Sequence, residues 1–143
     1  MENTFTYNLA AFYYNQNDFE KAISLLHQVE FSEVYYNLLT RLLRLKIYFD
    51  TNDWQALEYS LETFRIYLIR NRSITDQRRK SGLNLLRFTK KTMRLLEEKS
   101  TLNQKDFLQK IQNLQTQIER KDRVLNKAWL LSKIENVGSK VVR

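Results

Sequence analysis

The stretch that decides the fold occurs twice, as Tyr13-Tyr14-Asn15-Gln16-Asn17-Asp18-Phe19-Glu20-Lys21-Ala22 and as Tyr48-Phe49-Asp50-Thr51-Asn52-Asp53-Trp54-Gln55-Ala56-Leu57. Both copies contain an aromatic pair, a polar linker ending in Asn-Asp, a third aromatic residue and the start of an apolar helical face. Asp18 and Asp53 are 35 residues apart. An aspartate directly before an amphipathic segment is a typical helix N-cap. The two stretches therefore predict two equivalent corners, each joining a pair of helices.

Apolar residues recur at helical spacing along most of the chain, which has no proline and only two glycines in 143 residues. After the second corner, for example, they recur at Trp54, Leu57, Leu61, Phe64 and Leu68. Long helices are the simplest structure for a chain with so few turn-forming residues. We therefore expect an all-α fold of about six to seven helices, arranged as antiparallel pairs.

We expect a single domain over residues 1–143. It comprises a first helix pair at 5–30, a divergent second pair at 32–69, a basic helix at 75–97 and a terminal helix or helix pair at 106–137. The charged cluster 119–123 favours a break in the last of these segments, with one continuous helix as the alternative. Gly138 fits a helix C-terminal stop, followed by a frayed tail at 139–143.

The first pair resembles the tetratricopeptide repeat (TPR), a helix–turn–helix unit of 34 residues. The matching positions are Leu9-Ala10 for its Leu-Gly pair, Tyr13 for its first-helix tyrosine, Asp18-Phe19 for its Asp-Tyr turn, and Ala22 for the small residue of its second helix. The resemblance implies that the helix pairs stack as a short right-handed α-solenoid. It also implies a scaffold that binds a protein or peptide.

The second pair departs from that pattern, because Arg44-Leu45 replaces the Leu-Gly pair and Leu57 replaces the small alanine. Its two helices should therefore lie further apart. The segments 67–71 and 127–134 look like the C-terminal part of larger uncharacterised bacterial TPR proteins. That likeness implies that the chain is a terminal fragment, which an exposed apolar face on the first helix would support.

Catalytic and metal-binding patterns are missing from the sequence. Cysteine is absent, His27 is the only histidine, and two isolated glycines cannot form a phosphate-binding loop. We therefore expect no enzyme activity, no cofactor and no metal site. The N-terminus lacks a signal-peptide pattern, and no apolar run is long enough to span a membrane. A cytoplasmic protein with no membrane partner is the default expectation.

Charge is divided unevenly along the chain. Residues 1–64 carry four Lys/Arg against nine Asp/Glu, a net charge of −5, whereas residues 65–143 carry twenty against seven, or +13. Within 65–94, Asp76 is the only acid beside ten basic residues. A helical wheel puts one set of cations within about 60°: Lys80, Arg87, Lys91 and Arg94, flanked by Arg79 and Lys90. This set predicts either a surface for a phosphate backbone or acidic peptide, or a solvated helix face.

Aromatic side chains suggest a second candidate surface, because Tyr14 and Tyr36 could line a peptide groove. Packing between stacked helices is the alternative, and it is favoured for Tyr13 and Tyr48. We expect a non-catalytic scaffold for a protein or peptide partner. The first alternative is nucleic-acid or polyanion binding through the basic helix 78–94, less favoured because no aromatics are interleaved with its cations. The second is homo-oligomerisation through helix 106–136, since the sequence leaves the oligomeric state open.

Overall fold

The computed structural model describes residues 3–31 and 33–142, with side chains described as far as residue 139. In these ranges the chain forms seven helices and no strand, which confirms the predicted all-α class. The helices are α1 (Asn3–Asn15), α2 (Phe19–Leu26), α3 (Val34–Asp50), α4 (Trp54–Arg70), α5 (Asp76–Glu98), α6 (Gln104–Arg120) and α7 (Lys127–Val142). The segment 106–137 is thus two helices, separated at 121–126.

The corner between α1 and α2 ends one helix and begins the next within three residues. Asn17 adopts a left-handed conformation with φ of 61°. The Asp18 amide donates back to the Tyr13 carbonyl at 2.9 Å, and the Asn17 amide donates to the Tyr14 carbonyl at 3.0 Å. The Asp18 carboxylate then accepts from the Lys21 amide at 3.2 Å. These bonds combine a Schellman-type stop with an aspartate N-cap.

The corner between α3 and α4 repeats the same bonds 35 residues later. Asn52 has φ of 57°. The Asp53 amide donates to the Tyr48 carbonyl at 3.0 Å, and the Asn52 amide donates to the Phe49 carbonyl at 3.1 Å. The Asp53 carboxylate accepts from the Ala56 amide at 3.2 Å. The two corners predicted to be equivalent are therefore built by equivalent atoms.

An aromatic pair lies across each corner, again at equivalent positions. The rings of Tyr14 and Phe19 have centroids 5.6 Å apart with an interplanar angle of 54°. The rings of Phe49 and Trp54 have centroids 5.8 Å apart with an angle of 69°. Inclined arrangements of this kind suit the aromatic quadrupole. They hold the end of one helix beside the start of the next.

Alanine and leucine occupy equivalent core positions in the two helix pairs. Ala10 and Ala22 are fully buried where α1 packs closely on α2, and Leu26, Leu43 and Ile47 complete that cluster. Their small side chains let the two helix backbones approach. In the second pair Leu45 and Leu57 take these positions and are also fully buried. Among the described residues, α3 and α4 have no comparable close backbone approach, as the larger leucines lead one to expect.

Backbone contacts divide the predicted domain into two compact units, Met1–Phe64 and Arg65–Arg143. The division coincides with the change in charge, so one unit is acidic and the other strongly basic. In the second unit α5, α6 and α7 pack on one another. Buried side chains from all three helices form its core: Leu85, Leu86, Phe88, Met93, Phe107, Ile111, Leu114, Ile118, Leu130 and Ile134.

At Gly82, α5 lies against Leu68 in the last turns of α4. A Cβ atom added there would lie 2.8 Å from Cδ1 of Leu68, which is itself 1% exposed. A side chain at residue 82 would therefore require Leu68 to move. Glycine normally weakens a helix interior by about 1 kcal/mol relative to alanine. Here it permits the contact that brings α5 against this part of α4.

Gly138 does not end a helix, contrary to the expectation from sequence. α7 continues through it to Val142, and neither glycine has a positive φ. A Cβ atom at residue 138 would lie 3.8 Å from Cγ2 of Ile111 in α6, an ordinary contact distance, so packing does not require glycine at this position. A helix interior tolerates glycine at a cost of about 1 kcal/mol relative to alanine. The predicted frayed tail is therefore helical at residues 139–142, and residue 143 lies outside the described range.

Removing either corner carboxylate should weaken the fold by a similar amount. Because each aspartate caps one helix, we expect Asp18→Ala and Asp53→Ala each to lower the free energy of unfolding by about 1 kcal/mol. Urea denaturation followed by circular dichroism measures this. The matched variants Asp18→Asn and Asp53→Asn keep an acceptor oxygen and should lose much less. Equal losses for Asn and Ala would contradict the capping role.

Candidate functional site

Chemically reactive groups are sparse in the part of the chain that the structure describes. No group of three or more His, Asp or Glu side chains there is arranged to hold a metal ion. His27 is exposed at the C-cap of α2. None of the described helices combines the length and the apolar character needed to cross a membrane. The candidate sites are therefore surfaces, namely an apolar one on α1, a polar cleft at α3 and a basic one on α5.

Tyr14, a predicted partner-binding residue, makes internal contacts in the structure. Its hydroxyl donates to Oδ2 of Asp50, at the end of α3, at 2.6 Å. Its ring lies against Phe19, as described above. A hydrogen bond to a carboxylate is stronger than one between neutral groups. Tyr14 therefore links α1 to α3, and its hydroxyl already has a partner.

Tyr36, the second predicted aromatic anchor, belongs to a four-ring cluster. Its ring stacks on Phe31, with centroids 5.0 Å apart, and meets Tyr35 and Tyr7 edge-on at 5.4 and 6.4 Å. Burial raises the pKa of Tyr7, and the neighbouring Tyr35 and Tyr36 hydroxyls add to the increase. Tyr36 is half-buried in this cluster, whereas Tyr35 is 52% exposed. Of the two, Tyr35 presents more surface to a partner.

Arg79, which the sequence placed beside the basic stripe, is used to close the connection between α4 and α5. Its Nε donates to the Leu68 carbonyl at 2.9 Å, and its Nη2 donates to the carbonyls of Asn71 and Ile74 at 2.9 and 3.1 Å. Its Nη1 contacts Asp76 at 2.9 Å. The guanidinium therefore satisfies carbonyls at the end of α4 and in the loop that follows, where helix carbonyls have no intrahelical donor.

The remaining predicted cations lie on the outer face of α5. Four of them are exposed and one, Lys90, is half-buried. The exposed four are Lys80, Arg87, Lys91 and Arg94; we call them the α5 stripe. Arg87 and Lys91 lie over the buried ring of Phe88, 4.8 and 5.7 Å from its centroid. These contacts orient the two side chains along the helix face.

An open cleft lies beside the N-terminal half of α5. Its volume is about 590 Å³, and it is lined by Lys80, Leu83, Asn84, Arg120, Lys121, Asp122 and Arg123. Asn84 donates from Nδ2 to the Arg123 carbonyl at 2.7 Å. The Leu125 amide donates to the Ser81 carbonyl at 3.0 Å. These two bonds fix the segment between α6 and α7 against α5 and bring its cations beside Lys80. We call this the basic cleft.

A second cleft, of about 560 Å³, lies between residues 29–31, which follow α2, and one face of α3. Arg44 donates from Nη2 to the Leu26 carbonyl at 3.2 Å, and Arg41 donates from Nε to Asn37 at 2.7 Å. Thr40 Oγ1 and Arg44 Nε are buried without a hydrogen-bond partner among the described residues. Both atoms lie below the cleft surface, so a bound molecule could not touch them without a local rearrangement.

The outer face of α1 is apolar and exposed. Phe5 and Phe12 are 56% and 55% exposed, and Leu9 lies half-buried between them on the same face. This spacing of i, i+4 and i+7 is that of one helical stripe. We call these three residues the α1 stripe. Contiguous exposed apolar surface of this kind marks interaction sites in soluble proteins.

The seam on α6, predicted as a pairing surface between copies, is turned inward. Phe107, Ile111, Leu114 and Ile118 are all buried in the second unit, where α6 packs on α5 and α7. Leu125, the fifth residue of the seam, lies in the segment after α6 and is half-buried. These side chains therefore contribute to the core of a single chain in this structure.

Comparisons of the chain with protein-family models, curated proteins and solved structures found no match in any of the three.

The sequence did not indicate Arg120, Lys121 and Arg123 as site residues. They lie in the charged cluster 119–123, whose sequence indicates only a helix break. That cluster was the available signal, but nothing local connects it with α5. The two come together through Asn84 and Arg123, which are 39 positions apart in sequence.

Proposed function

We propose that this protein is a cytoplasmic, non-catalytic interaction scaffold built from helical repeats of the tetratricopeptide type. Support comes from the two equivalent corners at Asp18 and Asp53, whose hydrogen bonds and aromatic pairs repeat with a 35-residue period. Repeats of this kind leave a binding surface wherever one helix pair is not covered by another.

Side chains on one face of α3 are buried against the first helix pair. Leu43 and Ile47, at 6% and 1% exposure, pack into the core cluster formed with α1 and α2. On the same face Arg44 reaches the Leu26 carbonyl, and Thr40 is 5% exposed. This face of the second helix pair is therefore covered by the first pair.

The same face of α1, found 35 residues earlier, is not covered among the described residues. The positions equivalent to Thr40, Arg44 and Ile47 are those of the α1 stripe, namely Phe5, Leu9 and Phe12. The equivalence of these positions supports the α1 stripe as the face on which a further helix pair would stack. Its aromatic composition suits an apolar contact.

The occupant we propose is a helical hairpin with an apolar face, because that is what covers the equivalent face of α3. Such a hairpin belongs to a partner protein, and the α1 stripe supplies the binding energy. The basic surface of the second unit is not required for this contact.

Site-specific photo-crosslinking tests where the partner binds. A photoreactive phenylalanine analogue at position 5 or 12 should give a discrete protein adduct in cells. The same analogue at Tyr59, which is 74% exposed on α4, is the matched control and should not. The adducted protein, once purified, should contain a helical hairpin.

Affinity measurements with that purified partner then decide the proposal. We expect Phe5→Ser with Phe12→Ser to weaken binding by about 30-fold or more, as loss of a hot spot of about 2 kcal/mol does. Reversal of the four α5 stripe charges to glutamate should leave binding nearly unchanged. The opposite pattern, with the charge reversals abolishing binding and the serine variants having no effect, would overturn the proposal.

A further inference from the structure

We propose that the basic cleft and the α5 stripe form one binding site for the phosphate backbone of a nucleic acid, independent of base sequence. The site is distinct from the α1 stripe. It differs from the basic helix seen in the sequence, because the structure adds three cations that lie outside that helix.

The cleft and the stripe are continuous on one face of α5. At 100° per residue, the cleft residues Leu83 and Asn84 lie within about 60° of Lys80, and so do the other stripe cations. The stripe extends for about 21 Å from Lys80 to Arg94, at 1.5 Å per residue. Arg120, Lys121 and Arg123 widen its N-terminal end. The combined surface therefore runs along α5 and joins the basic cleft at the N-terminal end of the stripe.

The cations of this surface are available to a ligand. None of the seven forms an ion pair or side-chain hydrogen bond within the described part of the chain. All seven are exposed. Asp122 is the only acid lining the cleft. Four positive charges and one negative charge therefore line the cleft, and Arg87, Lys91 and Arg94 of the stripe add three more cations. This excess of positive charge favours a polyanion.

Another residue satisfies carbonyls at the C-terminus of α6, so Arg120, Lys121 and Arg123 are not needed there. A helix C-terminus presents unpaired carbonyls and a partial negative charge, which would normally attract nearby lysines. Here Lys127 from α7 donates to the carbonyls of Glu119 and Lys121. Because Lys127 donates to these carbonyls, the side chains of Arg120, Lys121 and Arg123 are available to a ligand in the cleft.

The lining chemistry favours a phosphate backbone over an acidic peptide. Leu83 is the one apolar residue lining the cleft, so there is little to anchor peptide side chains. Phe88, the aromatic ring beside the stripe, is 2% exposed and cannot stack on a base. Because no exposed aromatic ring is available for base stacking, the cations of this surface are suited to contacts with the phosphate backbone.

Fluorescence anisotropy with labelled 20-mer duplex DNA and single-stranded RNA, across a range of salt concentrations, tests the site. We expect affinity in the micromolar range at low salt, falling linearly on a log–log plot. Lys121→Ala with Arg123→Ala should reduce the slope for duplex DNA by about 1.8, since each phosphate contact contributes about 0.9. The fixed position of the segment should persist, because Asn84 bonds to the backbone of Arg123.

The matched control is Lys105→Ala with Lys110→Ala, which removes the same charge from α6 far along the helix from the cleft. It should change the slope little, and circular dichroism checks that all variants are folded. Equal effects of the two double variants would show a general charge effect and overturn the proposal. Tighter binding to polyglutamate than to either nucleic acid, or no salt-dependent binding, would also overturn it. The DNA and RNA measurements identify which nucleic acid supplies the backbone.

Discussion

Replacing Phe107 with alanine should lower the free energy of unfolding by about 3–5 kcal/mol, which is among the largest effects expected of a single substitution here. Phe107 is 1% exposed near the start of α6 and lies in the core of the second unit. Its removal forfeits the burial of a large apolar side chain and leaves a cavity. Lys99 Nζ, 5.7 Å from the ring centroid, also loses its cation–π contact.

Urea denaturation followed by tryptophan fluorescence measures this loss. The chain has two tryptophans, Trp54 in the first unit and Trp129 in the second. A Trp54→Phe background therefore lets Trp129 report on the unit that carries the change. Ile69→Ala is the control, because Ile69 is 51% exposed and its truncation should cost little. A Phe107→Ala effect no larger than that of Ile69→Ala would contradict the described core.

Exchanging the residues at the two equivalent core positions should destabilise both helix pairs, for opposite reasons. Leu57→Ala leaves a cavity in the second pair and should cost about 2–5 kcal/mol. Ala22→Leu inserts a large side chain where α1 and α2 approach closely, and should cost about 1–3 kcal/mol. Each residue is fully buried in its present place. The expected losses follow from helix spacing and not from side-chain polarity.

The same denaturation experiment, read from Trp54 in a Trp129→Phe background, measures both variants. Glu58→Ala is the neighbouring control, since Glu58 is exposed on α4 beside Leu57. We expect that control to change stability by less than about 0.5 kcal/mol. If Ala22→Leu did not change stability, α1 and α2 would have room for a leucine. That result would contradict the description of α1 and α2 as closer together than α3 and α4.

Helical periodicity and corner chemistry were readable from sequence because both are local. The apolar residues that follow Asp53 at spacings of three and four are buried from Leu57 to Leu68, with Trp54 half-buried at the corner. The break between α6 and α7 follows from the charged cluster 119–123. Each of these features is determined by residues within one or two helical turns.

The uses of individual polar side chains were not readable from sequence, because they depend on contacts between helices. Tyr14 was a candidate groove residue, yet its hydroxyl lies 2.6 Å from Asp50, 36 positions away. Arg79 belonged to a charged stretch, but the fold directs its guanidinium to carbonyls at the end of α4 and in the loop after it. The basic cleft needs α5 and the segment after α6 side by side. No pattern within either segment indicates that proximity.

The presence of a glycine did not predict correctly where the last helix ends. Glycine is the usual residue for a left-handed stop, which made Gly138 the expected end of the last helix. The chain instead uses asparagine at its left-handed positions, with Asn17, Asn52 and Asn126 having φ of 61°, 57° and 50°. Asparagine adopts this conformation more readily than most residues because its short side chain bonds locally. Of the two glycines, Gly82 lies at a close contact between helices and Gly138 lies inside α7 with ordinary spacing to its neighbour.

The matching bonds at Asp18 and Asp53 have a practical consequence for protein engineering. A cassette cut at these two aspartates begins and ends at chemically identical junctions, each with its own asparagine stop and carboxylate cap. A second copy of the 35 residues from 18 to 52 could be inserted at the later junction without altering either cap. Helix pairs could thus be inserted or deleted at these junctions without the design of a new connecting loop.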